Sequence, residues 1–255
     1  MAAPVKKSTW GNFQPVKEVV PYRLIWRSYG PEKSGKNHFG LTAPGPIAIQ
    51  CFDVLGLEGT VEKFRAQGKD IHVCKYHLDI NDSDVQQMAK NVLTRFTEDF
   101  EVAQNNARTI QWDETELWRV FRYAELGDKS ATPSAYDAVN FKYAEMIHQV
   151  DDTNVNFQLI QKVKEKWNTV EEVNREGRKV SKGRPSGQMV PTGMKEVQFL
   201  VQANISHTWD KENGFGVHIA NCRQNMAIAG ESYYGVEFAE IAQLVFPESD
   251  ESDWQ

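Results

Sequence analysis

The sequence predicts an α/β protein with a mostly parallel central sheet flanked by helices and an antiparallel hairpin toward the C-terminus. Three observations carry this. Strand-like and helix-like runs alternate from residue 22 to residue 160, the rhythm of strands joined by helical crossovers. The first of these strands runs straight into a glycine-rich turn before a helix, and two apolar runs flank the turn-forming stretch "DKENG" at 210–214.

Taken in order, residues 1–20 mix Pro, Gly and Lys without periodicity and read as an N-terminal arm. "YRLIWRS" (22–28) is an apolar, aromatic strand. The helix after the turn must be short, because Gly40, Pro44 and Pro46 follow within about two turns. "IAIQCFD" (47–53) reads as a buried strand, "LEGTVEKFRAQG" (57–68) as a helix closed by Gly68, and "DIHVCKYHL" (70–78) as another strand. Ser83 is placed to cap a long helix in which Val85, Met88, Val92, Phe96, Phe100 and Ala103 share one face. A strand ending at Asp113 precedes a helix over 115–127 and a loop over 128–134. Tyr136, Val139, Tyr143, Met146 and Val150 then form a second amphipathic face before the strand 155–160. The polar stretch 162–195 reads as a flexible basic loop. Strand-like runs at 197–205 and 215–222 and a helix near 236–246 follow it. The acidic end, 247–255, is expected to be mobile. One main domain, 21–246, is thus expected between an arm and a tail.

The bulk numbers narrow the function. A chain of 255 residues with a net charge of −6 suits one well-cored domain without a uniformly basic surface, so nucleic-acid contact would need a local patch. Three widely spaced cysteines (Cys51, Cys74, Cys222) make no disulfide framework. No signal-peptide core or spanning apolar run is found, so a cytoplasmic setting without a membrane is expected.

Gly30, Pro31, Glu32, Lys33, Ser34, Gly35, Lys36, Asn37 and His38 carry the spacing G-x-x-x-x-G-K between a strand and a helix. Glycines let backbone N–H groups converge on phosphate oxygens, and Lys36 adds a point charge for the β and γ phosphates of a nucleotide such as ATP. The competing reading is a Gly/Pro turn with a surface lysine. Asn37 stands where such loops place the hydroxyl that ligates Mg2+. Its amide oxygen coordinates less compactly, so nucleotide binding with altered metal dependence is expected.

Asp113, at a strand end, is either the second metal-side carboxylate or a helix cap. Asp53, Glu58 and Glu114 are candidates for the base that orients attacking water. Gln161, at the end of its strand, is placed to sense the terminal phosphate. Segment 162–195 holds nine Lys/Arg against four Glu. Within it Lys164, Lys166, Trp167, Arg178, Lys179, Lys182 and Arg184 suit an electrostatic grip on single-stranded DNA with some stacking, or else a solvated loop. His72, Cys74 and His77 read as ordinary packing, because strand alternation points His77 away from the other two. Arg223 reads as a surface arginine, with action on a neighbouring subunit's phosphate as the alternative.

"GPEKSGKN" closely resembles the RecA phosphate loop, Gly-Pro-Glu-Ser-Ser-Gly-Lys-Thr. The wider chain resembles the phage-encoded, RecA-like AAA-type P-loop ATPases, including the Sak-type single-strand annealing and recombination group. "YGPEKSGKNHFGLTAPGPIAI", "GLEGTVEKF", "DETELW" with "AELG", "YDAVNFKY" and "NFQLIQKVKEKW" carry the likeness. The resemblance implies a RecA-like core that binds ATP with Mg2+, hydrolyses it, assembles as a homo-oligomeric ring or filament and acts on single-stranded DNA. It further implies Lys36 as the phosphate lysine, Asp113 as the metal-side aspartate, Asp53 or Glu58 as the catalytic carboxylate, and Gln161 as the γ-phosphate sensor leading into a DNA-contacting loop. Asn37 departs from the pattern. The acidic tail is similar in kind to tails that recruit a partner such as a single-strand-binding protein.

Overall fold

The computed structural model describes residues 22–53, 56–127, 133–173 and 179–254. The expected arm (1–20), most of the expected 128–134 loop and Arg178 lie outside the described residues. The chain runs β1 (Ile25–Tyr29), α1 (Lys36–Leu41), β2 (Ile47–Cys51), α2 (Thr60–Ala66), β3 (Ile71–Lys75), α3 (Val85–Asn106), β4 (Thr109–Asp113), α4 (Glu114–Leu126), α5 (Pro133–His148) and β5 (Asn156–Gln161). It continues through β6 (Val163–Val173), β7 (Lys179–Pro191), α6 (Val197–Leu200), β8 (Ala203–Asp210), β9 (Gly214–Cys222), β10 (Ser232–Tyr234) and α7 (Phe238–Val245).

One eight-stranded sheet orders as β10-β9-β8-β1-β5-β4-β2-β3. From β8 to β3 neighbouring strands are parallel, while β9 runs antiparallel to both β8 and β10. The hairpin expected around 210–214 is the β8–β9 connection. Register sets the functional edge: Asp113 lies opposite Ile160, Ile160 opposite Ser28, and Gln161 opposite Tyr29. The carboxyl ends of β1, β5 and β4 therefore finish level, where open α/β sheets bind ligands.

Strand alternation separates the two faces. Ile110, Trp112, Phe157 and Leu159 point toward α3, α4 and α5, where Trp112 meets Phe96, Phe100 and Phe157 at centroid distances of 5.2, 4.5 and 4.6 Å. Gln111 and Gln158 point the other way, toward α1. Gly40 lets that short helix sit tightly on them, since a Cβ there would stand 2.0 Å from Gln158 Oε1. Beside this, Trp26, Phe39, Ile205, Ile219, Phe238 and Ile241 bury a second apolar cluster under α7.

Four sequence expectations change. Asp84, not Ser83, caps α3, its Oδ1 accepting from the Gln87 N–H at 3.2 Å. Residues 197–200 form one helical turn, and the strand begins only at Ala203. Segment 162–195, read as a loop, is largely an antiparallel ribbon of β6 and β7. Its polar composition hid the strands because neither face is buried. The tail is docked: Trp254 is 2% exposed, lies 5.9 Å from Phe238 and 5.7 Å from Phe246, and donates Nε1–H to Ser249 Oγ at 2.8 Å. Arg108 Nη2 holds the Asp253 carbonyl at 3.1 Å. The surrounding acidic residues hid one anchoring indole. Among the described residues, no helix is long and apolar enough to cross a membrane.

Candidate functional site

The glycine-rich loop leaves β1 through a conformation that its residues permit. Gly30 (φ 154°) has no room for a Cβ, which would stand 2.4 Å from the His207 carbonyl oxygen. Gly35 (φ 91°) and Lys33 (φ 58°) both take positive φ on either side of Ser34, whose hydroxyl donates to the Pro31 carbonyl at 2.9 Å. Lys36 opens α1 and turns back over the loop, donating Nζ–H to the carbonyls of Gly30 (2.8 Å) and Pro31 (2.6 Å).

Beneath the loop lies a buried polar junction. Ser28 Oγ accepts from Trp26 Nε1 (3.1 Å) and Gln158 Nε2 (2.8 Å), which leaves its own proton for His207 Nε2 at 2.9 Å. His207 is then an acceptor and neutral. Burial, with the nearby Lys36 charge, pushes it down to about 3, in agreement. Gln158 Nε2 also reaches the Lys36 carbonyl at 3.1 Å, fixing the start of α1 to β5.

The loop opens on a cavity of about 610 Å³. Glu32, Lys33, Ser34, Gly35, Lys36, Asn37, His38, Asp53, Glu58 and Asp113 line it together, ten of the positions that the sequence singled out. Gly30 and Pro31 lie behind the wall and act through the carbonyls that hold Lys36. Burial draws Lys36 down to about 8, against the opposing pull of Glu32 and Asp113. Burial raises Asp113 to about 6, with Lys162 opposing and Glu116 and Asp53 adding to the rise. Asp113 occupies the N-cap position of α4 but makes no side-chain capping bond, and its buried Oδ1 has no hydrogen-bond partner. Oδ1 is thus an open acceptor facing the cavity end of the strand, while the Glu116 N–H opposes the rise in the carboxyl's pKa. Asn37 donates Nδ2–H to the Gly56 carbonyl at 3.3 Å, leaving its Oδ1 as the acceptor. Among the described residues no group of three or more His, Cys, Asp or Glu could hold a metal by itself.

Two expected site residues lie elsewhere. Gln161 is 1% exposed on the opposite face of the sheet, accepting from Arg27 Nη1 at 3.4 Å and donating to the Met194 carbonyl at 3.3 Å. Strand alternation explains this: Asn156, Gln158 and Ile160 share the α1 side, so Gln161 cannot. Glu114 is fully buried on that same far face, its Oε1 accepting from the Met194 N–H at 3.1 Å. Burial raises it to about 8, with the Gln161 amide and the Met194 N–H opposing. It holds a proton at neutral pH and is shut off from the cavity.

Lys162, the next residue, lies on the cavity side instead. It follows β5, lines the cavity and pairs with Glu116 at 3.0 Å. Burial pulls its pKa down, but Glu116, Asp113 and Asp53 outweigh that and raise it. It is also the first residue of the ribbon's foot. Lys162 N–H donates to Thr115 Oγ1 at 3.0 Å, Thr192 N–H donates to the Lys162 carbonyl at 2.8 Å, and the hydroxyls of Thr115 and Thr192 meet at 3.1 Å. Gly193 (φ 87°) passes so close to Glu114 that a Cβ would stand 2.2 Å from Oε2. Both feet of the ribbon are therefore tied to residues 114–115, next to Asp113.

Further out, Lys164, Lys166, Lys179, Lys182 and Arg184 are exposed on the two strands, and Trp167, opposite Pro185, is 64% exposed and packs diagonally on Gly183. Lys179 pairs with Glu171 at 3.4 Å. His72 pairs with Asp70 at 2.9 Å, and Arg223 is exposed and donates to the Phe199 carbonyl. Sequence reasoning did not single out Lys162 for the cavity wall, where its signal was its place one step past a strand end. It also missed Phe215, Thr60 and Gln111 in the cavity wall, which nothing local in the sequence marks. No family model and no curated protein matches the chain.

Proposed function

We propose that the chain is a nucleotide-binding protein of the P-loop class, with its phosphates held by the 30–36 loop. More particularly, it is a RecA-like ATPase that acts on single-stranded DNA, of the Sak-type group that the wider chain resembles. The observation that carries this reading is the convergence of the glycine-rich loop and Lys36 with Asp113, Asp53, Glu58 and Lys162 on one cavity at the carboxyl edge of a parallel sheet. A polyanion bound there would meet two ammonium groups and the start of α1, with carboxylates left over for metal and water.

The residues fit Mg2+ when it arrives on a nucleotide. The open Oδ1 of Asp113 and the amide oxygen of Asn37 supply two oxygen donors, and the phosphates supply the rest. The ion would neutralise the phosphate charge. Asp53 or Glu58 would orient the attacking water, and Lys162 replaces Gln161 as the group that reports the terminal phosphate to the ribbon. The basic ribbon with Trp167 grips the DNA backbone, so nucleotide and DNA occupancy are linked through residues 113–115. A second reading has its own support. Asn37 stands where the metal-ligating hydroxyl is expected, which suits a module that binds nucleotide for assembly without hydrolysing it.

Phosphate release from Mg·ATP, with and without single-stranded DNA and with Lys36→Ala as control, tests both. Turnover that rises with DNA and vanishes in the variant is expected. Nucleotide binding without turnover would select the assembly module. Reversing charge at Lys179, Lys182 and Arg184 should flatten the log–log salt dependence of DNA binding by about 2. An unchanged slope would exclude the ribbon as the DNA grip.

A further inference from the structure

Phe215 lines the cavity beside the loop, and its side chain carries no polar group for a phosphate. It sits in β9 directly opposite Trp209 of β8, and its ring lies on Gly35, where a Cβ would stand 2.7 Å from its Cδ1. The ring stacks on the His38 imidazole, centroids 5.2 Å apart and planes 26° from parallel, and His38 in turn meets the Phe64 edge at 5.1 Å. Burial draws the His38 pKa down, so at neutral pH this support carries no charge. The turn that leads into its strand is braced as well. The Asp210 carboxylate closes the adjoining turn by accepting from the N–H groups of Glu212 (2.9 Å) and Asn213 (2.6 Å) and from the Asn213 side-chain amide (3.3 Å).

Despite these contacts Phe215 is 42% exposed, whereas Trp112, the other large ring in the cavity wall, is fully buried. A nucleotide that places its phosphates on the loop must lay its base on another part of the same cavity, and a base gains most from a rigid, uncovered aromatic face.

We propose that Phe215, backed by His38, is the stacking platform for the nucleobase of a nucleoside triphosphate whose phosphates occupy the 30–36 loop. The proposal rests on the nucleotide-binding reading above. Stacking uses a π-face that every base has, so the platform supplies affinity and leaves base identity to other groups.

Calorimetric titration of the full-length protein with Mg·ATP and, separately, with inorganic tripolyphosphate in Mg2+ separates the two ideas. Phe215→Ala should weaken ATP by roughly tenfold to a hundredfold and tripolyphosphate by less than about twofold. Phe215→Trp should keep ATP affinity, and its added indole fluorescence should be quenched by ATP but not by tripolyphosphate. The tryptophan variant decides the matter should the alanine variant fold poorly. Equal loss of both ligands in Phe215→Ala would overturn the proposal, because the ring would then only support Gly35. Unchanged ATP affinity, or an indole insensitive to ATP, would overturn it by placing the base elsewhere. Each of these leaves the phosphate loop standing. Wild-type protein that binds neither ligand would remove the nucleotide reading itself, and the platform with it.

Discussion

The substitution Glu114→Gln should make the stability of the fold less sensitive to pH. The carboxyl is fully buried against Met194 and Gly193, and burial raises it to about 8 from an ordinary 4.5. Between those two values the folded chain holds a proton that the unfolded chain has released, so wild-type stability falls as pH rises through that window and levels off above it. The slope is about 1.4 kcal/mol per pH unit. A carboxamide at this position has the same shape as the carboxyl and no proton to lose, so the variant should lack this slope. Other titrating groups, Asp113 among them, contribute to both chains and largely cancel in the difference. The variant's advantage should be under about 1 kcal/mol near pH 5, about 3 kcal/mol near pH 7, and on the order of 4–5 kcal/mol above pH 8. Urea unfolding of both chains at pH 5, 7 and 8.5 measures it. A gap that stays constant across the three would refute the argument, because it would mean that Glu114 ionises as readily in the folded chain as in the unfolded one.

Lys36 gives a second pH dependence of opposite use: its charge is lost as pH rises through about 8. Tripolyphosphate affinity should fall about tenfold between pH 7 and 9, and calorimetry at both values checks it. Gly30→Ala should cost about 1–3 kcal/mol from backbone strain alone, with the collision against the His207 carbonyl added, as read from urea unfolding. Trp254→Ala should cost about 3 kcal/mol in the same assay, whereas a mobile tail would give no change.

The parallel half of the fold was legible because its strands are short apolar runs and its helices carry clear faces. Ile47, Ile49, Ile110 and Trp112 could hardly sit anywhere but in a buried sheet. The ribbon was not legible, since exposed strands such as Lys179–Pro191 bury nothing and show no periodicity. The loop and Asp113 could be found from local spacing. Gln161 was read as facing the loop but lies on the other side of the sheet, and in a strand one residue decides which face a side chain serves. Phe215 reaches the cavity only because β8 and β9 return beside β1, a long-range event without a local signature.

The docked tail also settles how the molecule can be handled. Trp254 and Asp253 are held near Arg108, just before the amino end of β4, while Asp113 and the cavity lie at that strand's other end. A tether attached after residue 254 would leave from the side of the sheet away from the loop. Protein immobilised on a sensor through that terminus would face the cavity toward the solution, provided the linker starts beyond the anchoring indole and does not pull it out.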